Sequence, residues 1–340
     1  MKKSLFLLSL VFLLGACSSD ENTIIEPENT DPVEIMLSAK SLSIGVETKA
    51  PYEGSTSTLD ETPLTARVIS SKTSGNYSTI YSDGSITFNA AATATAYSTP
   101  LTSGTAYYPA NGDSLYLIGV YPAGTAWGTP NATSIAATFT GKEDLMYAAQ
   151  ASGHKNLVTN ANAPVLAFNH LLTLLNLSII AEDAAAISAW GAITSITLSS
   201  TNLATVTPST GGIAITGENA TMPFYFRTGE NADVAIGADD KTITLSESLD
   251  ENIAYSIVGP VNANISTTDY LLTIKSANNT TGINVPIQLM DNNQPTPAPY
   301  ALTTEGKSFD IKLTFKATQI VATATVEAWT ESGGADIDIK

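Results

Sequence analysis

Between Ser308 and Lys316, Phe309, Ile311, Leu313 and Phe315 alternate strictly with Ser308, Asp310, Lys312, Thr314 and Lys316. A period of two places all four large apolar groups on one face of a strand, a segregation that a helix cannot achieve. The pattern recurs where Ile320, Ala322, Ala324 and Val326 share a face, and a tight connection between the two runs predicts a strand pair. Shorter runs of the same kind occur at Ile35 and Leu37 and at Leu42, Ile44 and Val46. Leu115 to Tyr121 is almost continuously apolar, which suits a strand covered on both faces. Only 14% of residues are charged, while the chain holds 46 Thr and 33 Ser. Threonine is stiff at its first side-chain torsion and sits well on a pleated surface. The fold class is therefore all-β.

Helical signal is weak. Glu182–Trp190 predicts two turns, and Lys142–Ala151 one or two. Tyr77–Phe88 reads as a hairpin that turns at Asp83-Gly84. With 340 residues, two β-sandwiches of ordinary size are expected in tandem. The polar, turn-rich stretch SGHKNLVTNANAP divides them into an N-terminal domain at 35–158 and a C-terminal domain at 159–340.

The charge balance narrows function. There are 15 Lys and Arg against 32 Asp and Glu, a net charge of −17, and arginine occurs only at Arg67 and Arg227. No basic surface can follow a phosphate backbone, so nucleic acid is excluded as a partner. One cysteine and two histidines, His154 and His170, leave little for metal or acid–base chemistry, and no nucleophile, phosphate-loop or dinucleotide motif occurs. No catalytic residue, metal site or cofactor is expected, and the chain does not read as an enzyme. His170 lies in an apolar run and reads as a satisfied core histidine. Trp127, Trp190 and Trp329 read as packing residues and not as platforms for sugar rings.

The first residues give an address. Lys2 and Lys3 precede a run from Leu5 to Leu14, apolar apart from Ser9, that is too short to span a bilayer and fits a signal peptide. It ends in Leu14-Gly15-Ala16-Cys17, which resembles a bacterial lipobox and predicts a signal peptide at 1–16 and a lipid on Cys17. The Ser18-Ser19-Asp20-Glu21 that follows resembles the export signal of surface lipoproteins in Bacteroidetes. Residues 17–34 hold little to bury and read as a flexible tether.

Three further segments carry a resemblance. They are Gly141-Lys142-Glu143-Asp144-Leu145-Met146-Tyr147-Ala148, the run Phe168-Asn169-His170, and the end from Ile320 to Trp329 with Ile337-Asp338-Ile339. With the lipobox, their order and spacing resemble the fimbrillin-like proteins of Bacteroidales, the subunits of type V pili. The resemblance implies two transthyretin-like β-sandwiches and a lipoprotein precursor at the outer membrane. It also implies trypsin-like cleavage behind the first strand, then strand exchange with other pilus subunits in support of adhesion. The strand removed would be the one carrying Ile35, Leu37, Leu42, Ile44 and Val46. The cut would fall between Lys49 and Ala50, with Arg67 and Val68 as the competing site, and a solvated surface charge is the plain reading of either basic residue. The donor strand would draw on Ile320, Ala322, Ala324 and Val326, alone or together with Ile337 and Ile339, because the six residues from Ala335 to Lys340 are too short to replace a strand by themselves. The competing functions are a monomeric surface lipoprotein that captures glycans or host or bacterial surface ligands, and a pilus tip or anchor subunit.

Overall fold

A computed structural model describes residues 32–41, 64–88, 99–100, 107–124, 126–156, 164–227, 229–261, 268–291, 298–300 and 303–327. Cys17, Leu42, Ile44, Val46, Lys49, Ala50, Trp329, Ile337 and Ile339 lie outside them.

Strands dominate these residues. The first part supplies β1 (Met36–Ser41), β2 (Leu64–Ser71), β3 (Ser82–Phe88) and β4 (Thr99–Pro100). It continues with β5 (Leu115–Tyr121), β6 (Ile135–Thr138), β7 (Met146–Gly153) and β8 (Val165–His170). The second part supplies β9 (Thr173–Ala181), helix α1 (Ala184–Trp190), β10 (Ile193–Thr207), β11 (Gly212–Pro223), β12 (Tyr225–Phe226) and β13 (Asp250–Val258). It ends with β14 (Tyr270–Ser276), β15 (Ile283–Ile287), β16 (Leu289–Asp291), β17 (Ala298–Pro299), β18 (Ser308–Lys316) and β19 (Gln319–Glu327).

The alternating segment becomes β18, inside a sheet ordered β12-β13-β9-β18-β19-β16-β17. Phe309, Ile311, Leu313 and Phe315 are fully buried. Burying each contributes about 1.5–3 kcal/mol. Ile311 lies opposite Leu177 on parallel β9 and Ala324 on antiparallel β19. A second sheet, β11-β10-β14-β15, adds Ile196, Leu198, Leu272 and Ile274 to the same core. The helix expected at Glu182–Trp190 forms as α1. Asp183 caps its start by accepting from Ala186 N at 2.8 Å, and Trp190 packs edge-on to Phe315 at 5.7 Å.

The first part folds differently. Its sheet runs β3-β2-β5-β7-β8-β1-β4, and its two edge strands touch, so it curls without closing. A core of its own lies inside the curl, built on Leu64, Val68, Phe88, Leu117, Leu166 and Phe168. The opposite face, with Ile69, Ile118, Val120 and Tyr147, belongs to the large core shared with the second part. Both faces of β5 are thus covered, as its apolar run demands. The curl needs close approach at Gly119, where a Cβ would fall 2.5 Å from Phe168 Cζ.

Three local expectations change. Asp83 and Gly84 lie within β3, paired to Ile69 and Val68, and the chain reverses instead at Thr73–Asn76, where Gly75 has φ +69°. Asp83 stays in the strand because Arg67 on β2 grips its carboxylate. Lys142–Ala151 forms no helix. It enters β7, because Met146 and Ala148 fill the inner core while Leu145 and Tyr147 fill the outer one. The first sheet also extends past residue 158, since β8 pairs with β7 and β1. In the other direction, β6 leaves the first part and pairs Ile135–Thr138 with Leu203–Val206 of β10.

Candidate functional site

The strand beside the seam of the curled sheet is β1. It runs parallel to β8, with Ser38 opposite Val165 and Ser41 opposite Phe168. On its other side it meets only the two-residue β4, at Met36–Pro100 and Leu37–Thr99. Alternation sends Ile35 and Leu37 into the inner core, where neither is exposed. Beneath them Phe88 and Phe168 meet edge-to-face at 6.3 Å. The segment leading into β1 is fastened by Tyr108 N donating to Val33 O at 2.9 Å and by a bridge between Glu34 and Tyr107. Tyr81 donates its hydroxyl to Tyr107 O at 3.0 Å and steadies that bridge. Every other strand contact of this sheet is antiparallel. Among the described residues, β1 is therefore the one strand of this sheet held by a parallel neighbour and a stub.

Two sequence segments singled out above become neighbours at the far end of β8. Asp144 Oδ1 lies 2.8 Å from His170 Nδ1, and each side chain is only 3% exposed. Leu171 N donates to Leu145 O at 2.9 Å, and Met146 pairs with His170 across the ladder. The imidazole holds the turn out of β8 against the entry to β7. His170 is thus a satisfied core residue, as its setting suggests.

Arg67 departs from the solvated-charge reading. Its side chain is 17% exposed and grips Asp83 with two parallel hydrogen bonds of 2.8 and 2.7 Å. It also donates to Trp127 O at 3.3 Å and Gly128 O at 3.0 Å. This fork pins the segment that carries β6 to the outer face of the sheet. The backbone of Arg67 sits mid-strand between Ser85 of β3 and Val120 of β5. Its neighbour Val68 is buried in the inner core. Trp127 and Trp190 are buried, at 3% and 7%, and donate to Tyr121 O and Lys316 O.

The candidate donor residues Ile320, Ala322, Ala324 and Val326 lie on β19. That strand pairs with β18 over nine residues, from Ser308–Glu327 to Lys316–Gln319, and with β16 in parallel. Ala324 is buried, and the other three are half-buried against the large core. Sequence reasoning missed Asp83, Gly119 and Tyr108, whose roles arise from partners far along the chain and leave no local pattern.

The architecture agrees with known folds. The model of the Fimbrillin-like family matches residues 48–329. The chain belongs to the fimbrillin-like family. Among solved structures, a Bacteroides uniformis protein assigned to cell adhesion is 18% identical, over 87% of this chain and 98% of that one, with a TM-score of 0.51. A fimbrial protein from Bacteroides vulgatus is 13% identical, over 87% and 99% of the two chains, with a TM-score of 0.42. The fimbrial anchor protein Mfa2 from Porphyromonas gingivalis is 9% identical, over 84% and 91%, with a TM-score of 0.39. No curated protein matches the sequence. Likeness at these identities speaks to fold, and the first of the three supports the all-β sandwich architecture. Membership in the fimbrillin-like family carries the coarse function, a pilus- or adhesion-related subunit of the cell surface.

Proposed function

We propose that this fimbrillin-like chain is exported as a surface lipoprotein through Cys17, matured by trypsin-like cleavage after Lys49, and polymerised by donor-strand exchange to support adhesion. The observation that carries this reading is the setting of β1. Removing that strand strips Ile35 and Leu37 from the inner core and bares the edge of β8, while the antiparallel ladder from β3 to β8 keeps all its pairs. An incoming strand regains about 1.5–3 kcal/mol for each such side chain it buries, together with the hydrogen bonds of the open edge.

The same geometry favours Lys49 over Arg67 as the cut. Cleavage after Arg67 would sever β2 between two partners and break the fork to Asp83. A donor that joins Ile320, Ala322, Ala324 and Val326 to Ile337 and Ile339 would have to give up nine pairs between β19 and β18 to leave its sheet. That anchoring of β19 also favours the tip or anchor reading, in which the seam accepts a strand and none is donated.

Limited trypsin treatment of the full-length chain tests this. A discrete product beginning at Ala50, followed by ladders that resist SDS without heating, is the expected result. A cut product that stays single but caps ladders of a second subunit supports the tip or anchor role. A product that stays monomeric and binds a polysaccharide overturns the polymer reading in favour of a ligand-capturing lipoprotein.

A further inference from the structure

Beside β1, the inner core contains a polar atom that its surroundings leave unanswered. Tyr108 is 3% exposed, and its hydroxyl has no hydrogen-bond partner among the described residues. Its backbone N–H is tied to Val33 O, two residues before Ile35, so the ring packs in the cluster that holds Ile35 and Leu37. The hydroxyl rests against Gly153 at the end of β7, where a Cβ would come within 2.2 Å of it. A side chain at 153 would displace the ring, so glycine makes room for the hydroxyl while offering it no acceptor. Burial pushes the phenol up to about 12, which keeps it a neutral donor. Phenylalanine would fill the same space without burying an unanswered hydroxyl, so with β1 in place the hydroxyl opposes stability.

We propose that the Tyr108 hydroxyl is a polar subsite of the seam, unpartnered while β1 occupies it and bonded by an oxygen of the strand that a second copy of this chain inserts there. The proposal rests on the strand-exchange reading and adds a direction to it. The resident strand leaves a donor unsatisfied and the incoming strand satisfies it, so exchange is favoured over return of β1. The hydroxyl also selects among strands, because one that presents only apolar groups at this point gains nothing from it.

The test compares the full-length chain with its Tyr108→Phe variant, using the thermal midpoint before trypsin and the lifetime of the ladders in warm SDS after it. An uncut midpoint that is unchanged or raised, with ladders dissociating about tenfold faster, is expected for the loss of one buried hydrogen bond made only in the polymer. A residue with a merely structural role would move both readouts in the same direction. A lowered midpoint before cutting, or ladders as long-lived as the parent's, overturns the role of Tyr108 and leaves strand exchange standing. A parent chain that is cut and forms no ladders overturns the strand-exchange reading itself.

Discussion

Asp144 and His170 stand 26 residues apart in sequence and meet side chain to side chain at 2.8 Å inside the protein. The pair closes the junction between β7 and β8, the strand on which β1 lies. A buried imidazole and a buried carboxylate answer each other here, and removing either takes one buried hydrogen bond from the other.

Asp144→Ala is accordingly expected to destabilise the fold by about 1–3 kcal/mol. Asp144→Asn keeps an acceptor oxygen at the same place and should lose less. Thermal unfolding followed by circular dichroism ranks the two. Equal losses would mean that the imidazole needs no acceptor there.

The maturation sites separate by mutation. Lys49→Gln should abolish the discrete trypsin product, whereas Arg67→Gln should leave it in place and lower the thermal midpoint, because two carbonyls and Asp83 lose their donor. Mass spectrometry of the new N-terminus decides. A terminus at Val68 in the folded parent would reverse the assignment.

Gly119→Ala asks for space that Phe168 occupies, with a Cβ 2.5 Å from its ring. Overpacking of this kind costs about 1–3 kcal/mol. Denaturant unfolding should show a lower midpoint with an unchanged slope, since the folded surface is the same. Gly124, five residues further on and outside β5, would place its Cβ within 4 Å of nothing and serves as the control.

Pairing between β6 and β10 places Ala136 opposite Thr205 in an antiparallel ladder. In a Cys17→Ala background, Ala136→Cys with Thr205→Cys should form a disulfide on mild oxidation, because directly opposed Cα atoms lie about 4.5–5.5 Å apart. Loss of free thiol together with faster migration on a non-reducing gel reports it. Persistent free thiols would contradict the register.

Much of the strand content was legible because its signal is local. Phe309 to Phe315 and Ile320 to Val326 announce β18 and β19 by period alone, and the run at Leu115 announces a strand covered on both faces. The misreadings share a cause. Asp83-Gly84 carries the chemistry of a turn, yet Arg67, sixteen residues away, holds it extended. Leu145 to Ala148 has no clear period because it serves two cores at once. The charge on Arg67 was visible, but its embrace by Asp83, Trp127 and Gly128 was not.

Composition and periodicity by themselves determined that this chain folds as strands, set its net charge at −17, and marked Cys17 as the single thiol. They could do so because alternation and charge are properties of neighbours in sequence. Only the tertiary structure decided that β1 lies beside a seam with a parallel neighbour, that β19 is locked by nine pairs, and that the Tyr108 hydroxyl is buried without a partner among the described residues. Each depends on which distant strands come together. That pairing is set by how a curled sheet encloses its core and is written in no single segment.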